Sequence, residues 1–66
     1  MKKNQLPKKY QSRVKEITRE YDLIDNCKYL IHFKKGVMFA GEEHRSLPVR
    51  NLKEARYFLR STEYNI

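Results

Sequence analysis

The segment at 29–40, YLIHFKKGVMFA, restricts the possible folds of this chain more than any other part of it. Apolar residues alternate on both sides of the KKG tripeptide at 34–36, and many of them are aromatic or β-branched. This alternation is typical of half-buried strands, and a glycine between two strands supplies the positive φ that tight turns need. We therefore predict a β-hairpin at about 28–40, with Ile31 and Phe33 on one face of it.

The segment HRSLPV extends the predicted sheet by a third, short strand at about 44–49. Leu47 and Val49 fall on one face of this strand. Pro48 cannot donate a ladder hydrogen bond, so the strand is expected at a sheet edge. The sheet is thus predicted to be antiparallel with two or three strands, and its edge could pair with a second copy of the chain in a homodimer.

The segment NLKEARYFLRST predicts a C-terminal helix at about 52–61. Asn51 suits the N-cap, and Glu54 follows three residues later, as in a capping box. The tail at 63–66 is expected to fray.

The N-terminal third carries apolar residues at a helical spacing. Steps of four, three, four and three residues separate Tyr10, Val14, Ile17, Tyr21 and Ile24. This spacing predicts a basic amphipathic helix at about 8–21. In the alternative that we consider, the helix ends near Arg19 and EYDLID begins a strand.

Together these elements predict an α+β fold in which a small sheet packs against helices. A flexible basic arm at 1–7 is expected to precede a single α+β domain at 8–66. A chain of 66 residues has room for one domain, which buries only about 60% of the surface that the unfolded chain exposes.

The sequence contains no pattern typical of catalysis or of metal binding. Cys27, His32 and His44 have a spacing that matches no zinc motif. In GEEHR at 41–45, neighbouring side chains on an extended chain point to opposite faces and cannot converge on one substrate atom. We therefore expect a protein that is not an enzyme and has no cofactor and no metal.

Fifteen basic residues against eight acidic ones give a net charge of +7. Such an excess suits nucleic acid or an acidic protein surface. No apolar run is long enough for a signal peptide or a membrane span, so we expect a cytoplasmic protein with no membrane partner. The main hypothesis is a small regulator that binds duplex DNA, with RNA as a further ligand, through phosphate contacts of modest sequence specificity and strong salt dependence.

The predicted phosphate contacts are the basic residues of the arm, the first helix, the hairpin tip and the last strand and helix. They are Lys2, Lys3, Lys8, Lys9, Arg13, Lys15, Arg19, Lys34, Lys35, Arg45, Arg50, Lys53, Arg56 and Arg60. A two- or three-stranded antiparallel ribbon that includes the strands at 28–40 would enter the major groove, with its solvent face towards the bases.

The alternative hypothesis is a protein-interaction module of the phage or plasmid type. Such a protein would bind an acidic host protein and inhibit or redirect it. The predicted edge strand is suited to pairing with a partner chain.

Overall fold

The computed structural model describes residues 1–64. Over this range the chain forms two helices and six strands, preceded by a short 3₁₀ turn at Lys3–Gln5. In chain order they are α1 (Lys8–Gln11), β1 (Val14–Arg19), β2 (Tyr29–Phe33), β3 (Val37–Phe39), β4 (Glu42–Glu43), β5 (Ser46–Val49), α2 (Leu52–Arg60) and β6 (Thr62–Tyr64). The predicted α+β class is confirmed.

The strands form two antiparallel sheets of three strands each, in the orders β1-β2-β5 and β4-β3-β6. Strand β5 lies at an edge, as Pro48 predicts. The predicted hairpin at 28–40 is wrong in its pairing, although both of its strands exist. Strand β2 is hydrogen-bonded on both sides, to β1 and β5, so it has no free edge for β3. Each predicted hairpin strand is instead the central strand of its own sheet.

The predicted helix at 8–21 ends at Gln11, and β1 follows it. The pairing of β1 with β2 slips between Val14 and Glu16, which is the signature of a β-bulge. The extra residue reverses the alternation, so Val14 and Ile17 face the same side although they lie three positions apart. A bulged strand therefore reproduces the spacing of a helix.

The later members of the predicted helical stripe are exposed, because the chain leaves the sheet after β1. Tyr21 is 84% exposed and Ile24 is 69% exposed. The alternative strand at EYDLID is wrong as well, since this segment forms a bend and a 3₁₀ turn at Ile24–Asn26. Asp25 and Asn26 adopt φ of 54° and 59°, conformations that Asp and Asn tolerate better than most residues.

One hydrophobic core joins residues from both sheets and both helical segments. Its buried members are Leu6, Tyr10, Val14, Ile31, Phe33, Val37, Val49, Ala55 and Leu59. Leu6, within the predicted arm at 1–7, is only 3% exposed. The division into a flexible arm and a domain at 8–66 stays a prediction.

Helix α2 begins and ends nearly as predicted. Asn51 Oδ1 accepts a hydrogen bond from Glu54 N at 2.8 Å, so the predicted N-cap is confirmed. The Glu54 carboxylate accepts from Arg50 N at 3.1 Å, one residue earlier than in a capping box. After the helix, β6 pairs with β3, so the expected fraying is wrong at Glu63 and Tyr64. Residues 65–66 lie outside the described part of the chain.

Two basic grooves as a candidate nucleic-acid interface

A basic groove of about 660 Å³ lies where the first sheet meets the link to the second. We call it the turn groove. Its lining residues are Lys15, His32, Phe33, Lys34, Lys35, Glu43, His44 and Arg45. Four of them are exposed cations that the sequence predicted as phosphate contacts, at Lys15, Lys34, Lys35 and Arg45.

Backbone hydrogen bonds bring three separate segments together at the turn groove. Phe33 N donates to Arg45 O at 2.8 Å, which places Arg45 beside the end of β2. Lys34 N donates to Arg13 O at 3.0 Å, which places the start of the turn beside the start of β1. Cations that are distant in sequence thereby converge on one concave surface.

The turn that carries Lys34 and Lys35 is closed and braced. Val37 N approaches Lys34 O at 3.4 Å, and Gly36 has a φ of +94°, a conformation that favours glycine at the third position of a turn. Gly36 N also donates to Glu43 Oε2 at 2.8 Å. Among residues 1–64, Glu43 supplies the only carboxylate in the lining, and this carboxylate is hydrogen-bonded to the turn that presents the lysines.

The β-bulge places Lys15 in the turn groove. Lys15 and Glu16 are consecutive and both exposed, between the inward-facing Val14 and Ile17. Bulges re-aim side chains and are frequent beside functional sites. The sequence predicts Lys15 as a phosphate contact on a helix, whereas the structure places it on β1.

Two histidines that the sequence analysis left without a role also line the turn groove. His32 Nε2 lies 2.8 Å from Thr18 Oγ1, and the hydroxyl and the ring share a hydrogen bond. The ring of His44 meets the ring of Phe39 edge-on at 5.5 Å. Among residues 1–64, no group of three or more His, Cys, Asp or Glu side chains could hold a metal ion.

A second basic groove, of about 400 Å³, lies between the α1 region and α2. We call it the helix groove. Its lining residues are Pro7, Lys9, Tyr10, Lys53, Arg56, Tyr57 and Arg60. The four residues from α2 lie at positions i, i+3, i+4 and i+7, which form one stripe along a helix. Like charges at such spacings weaken a helix by about 0.2–0.5 kcal/mol per pair.

Tyr57 is an exposed lining residue of the helix groove that the sequence did not predict as a binding residue. It is 69% exposed, although it is a large aromatic residue. The sequence feature that could have identified Tyr57 is its position four residues after Lys53 and three before Arg60, which places it on the same stripe of α2 as these two cations.

Three of the predicted phosphate contacts line neither groove and have partners within the protein itself. Arg13 Nη1 donates to Leu59 O, to Thr62 O and to Thr62 Oγ1 at 3.0, 2.9 and 2.7 Å. Arg50 Nε donates to Asp25 O at 2.9 Å. The guanidinium of Arg19 lies 5.7 Å from the centre of the Tyr21 ring. Of these, Arg13 and Arg50 stabilise the fold through main-chain carbonyls.

The remaining predicted contacts belong to the N-terminal segment. They are Lys2, Lys3 and Lys8, and none of the three lines either groove. The structure thus brings eight of the predicted cations together in two groups of four.

No family model, no curated protein and no solved structure matches this chain. Within residues 1–64, neither helix combines the length and the apolar character that crossing a membrane requires.

Proposed function

We propose that this protein binds nucleic acid through the phosphate backbone, with the turn groove as the main contact. The observation that carries the proposal is that Lys15, Lys34, Lys35 and Arg45 line one groove together with Glu43, whose carboxylate already accepts a hydrogen bond. Phosphates spaced along a strand can contact such a group of cations without base-specific contacts. The expected specificity for sequence is therefore modest.

The form of the nucleic acid is a separate question. The hypothesis of a ribbon in the major groove of duplex DNA needs β2 and β3 to pair, and they belong to different sheets. The phosphate backbone is common to duplex DNA, single strands and RNA. The turn groove is therefore proposed to accept the backbone, and the test compares duplex with single-stranded DNA.

The test measures the affinity for random-sequence DNA, as duplex and as single strand, over a range of salt. Four phosphate contacts predict that affinity falls on the order of 50- to 150-fold between about 50 and 200 mM salt. The double variant K34A/K35A should bind more weakly at every salt concentration, because it removes two contacts. Its salt slope should be smaller by about two.

A matched control separates the groove from overall charge. The double variant R19A/K28A also removes two positive charges, and Arg19 and Lys28 line neither groove. They lie near one end of the β1–β2 pair, and Val14 and Phe33 lie at its other end. The proposal predicts a much smaller loss of affinity for this control. Equal losses in the two variants, or no binding to any nucleic acid at low salt, would overturn it.

A host protein is the second candidate partner, and the exposed apolar residues of the loop after β1 favour it. Tyr21 and Ile24 expose large apolar surfaces on the same short segment as Asp25 and Asn26. Exposed apolar residues bordered by polar ones are typical of protein-binding sites. If this candidate is correct, Y21S/I24S abolishes capture of one defined host protein, and K34A/K35A leaves DNA-independent capture intact. Homodimer formation through β5 stays a prediction.

A further inference from the structure

The helix groove combines an exposed flat ring with four cations, which is more than phosphate binding needs. Tyr57 is 69% exposed and lies on the same stripe of α2 as Lys53, Arg56 and Arg60. Burial in the core does not account for this tyrosine, because most of its surface faces solvent. A ligand with a flat apolar face and a negative charge beside it would use both features.

The Tyr57 ring is in contact with a second aromatic ring. It meets the Phe58 ring edge-on, with centroids 5.7 Å apart. Phe58 in turn meets Phe39 of β3 edge-on at 5.9 Å. A ring held in this way loses less conformational freedom when a ligand stacks on it, since its neighbours already restrict it.

An unpaired nucleotide has the matching chemistry. Its base offers a flat face for stacking on a tyrosine, and its phosphates lie within reach of cations on either side. The bases of a duplex are stacked on each other, and their faces are not accessible. A cationic groove with an exposed aromatic ring thus distinguishes single-stranded from double-stranded nucleic acid.

We propose that the helix groove binds an unpaired nucleotide of single-stranded nucleic acid, with its base stacked on Tyr57 and its phosphates on Lys53, Arg56 and Arg60. This inference rests on the proposed function and names the ligand class. The turn groove contacts the backbone of any strand, whereas the helix groove selects strands with accessible bases.

The first experiment measures binding of an oligothymidylate of about 15 nucleotides, a length within the usual range of single-strand sites. The variant Y57A should bind it on the order of ten-fold more weakly, which corresponds to the loss of one stacked base. Its affinity for a duplex of equal length should stay unchanged. The matched control is Y21A, which truncates a tyrosine outside the groove that is even more exposed than Tyr57 and should bind like the wild type.

The second experiment uses the absence of tryptophan from the sequence. In the variant Y57W, the only tryptophan of the protein lies in the helix groove, and its ring can still stack. Its fluorescence should be quenched as the oligothymidylate saturates the protein. In Y21W, the same titration should leave fluorescence nearly unchanged.

Two results would overturn this inference without affecting the proposed function. One is that Y57A binds single strand and duplex as the wild type does while K34A/K35A binds both more weakly. The other is that the fluorescence of the Y57W variant stays constant at saturation. If instead no variant and no wild-type protein binds any strand at low salt, the proposed function itself fails.

Discussion

The guanidinium of Arg13 is an example of a residue whose role depends on partners far away in sequence. Sequence reasoning assigned it to a phosphate contact, because it lies in a basic segment. In the structure it donates three hydrogen bonds to residues 46 and 49 positions further along the chain. No local pattern indicates which carbonyls will meet a given arginine. The exposure of Lys34 and Lys35 was predictable, because a glycine turn presents both side chains to solvent whichever strands pair with each other.

At this scale we expect the variant R13A to destabilise the fold. It leaves the carbonyls of Leu59 and Thr62 without their charged donor, at a cost of about 2 kcal/mol in the free energy of unfolding. Urea unfolding followed by circular dichroism measures this change. The exposed neighbour variant K15A should change stability by less than about 0.5 kcal/mol. A stable R13A protein with lost DNA affinity would restore the phosphate-contact hypothesis for Arg13.

At the scale of elements, the sequence predicts which side chains of a strand face the core, but it does not predict which strands pair with each other. Ile31, Phe33 and Val37 are buried as the alternation predicts. Strand pairing depends on which sheet edges other parts of the chain already occupy. The strand β1 could not be recognised in the sequence, because its bulge gives the apolar residues a helical spacing. The β-branched residues Val14, Ile17 and Thr18 were the available sign of a strand.

The β3–β4 connection gives a prediction about an element. Ala40 and Gly41 have φ of 53° and 81°, as a two-residue turn of type I′ requires at both central positions. Alanine is strained in this conformation, and asparagine tolerates it. The variant A40N should therefore raise the free energy of unfolding by about 0.5 to 1 kcal/mol.

A substitution with the opposite expected effect, at the second central position of the same turn, serves as the control. The variant G41A introduces a side chain at a positive φ, although an added Cβ would meet no atom within 4 Å. It should lower the free energy of unfolding by about 1 kcal/mol through backbone strain alone. If A40N and G41A changed the urea midpoint in the same direction, the turn assignment would be wrong.

At the scale of the whole molecule, the net charge of +7 acts on stability and on binding with opposite signs. Self-repulsion of the charges weakens the compact state, and salt screens it. Screening also weakens attraction to phosphates. Composition alone predicts both effects, whereas the division of the cations into two grooves depends on the tertiary fold.

We therefore expect the melting temperature to rise and the DNA affinity to fall as sodium chloride increases from about 20 to 200 mM. Thermal unfolding and binding titrations in the same buffers measure the two trends. The R19A/K28A variant lowers the net charge from +7 to +5 and should show a weaker rise in melting temperature. A melting temperature that falls with salt would mean that attractive ion pairs dominate instead.

The three residues at 34–36 join the central strands of two different sheets. Because this link is so short, any change in the angle between the two sheets would move Lys34 and Lys35 relative to Lys15. A strand bound across these lysines would fix the angle between the sheets. Amide exchange in β3 and β6, neither of which lines the turn groove, would then slow when that groove is filled.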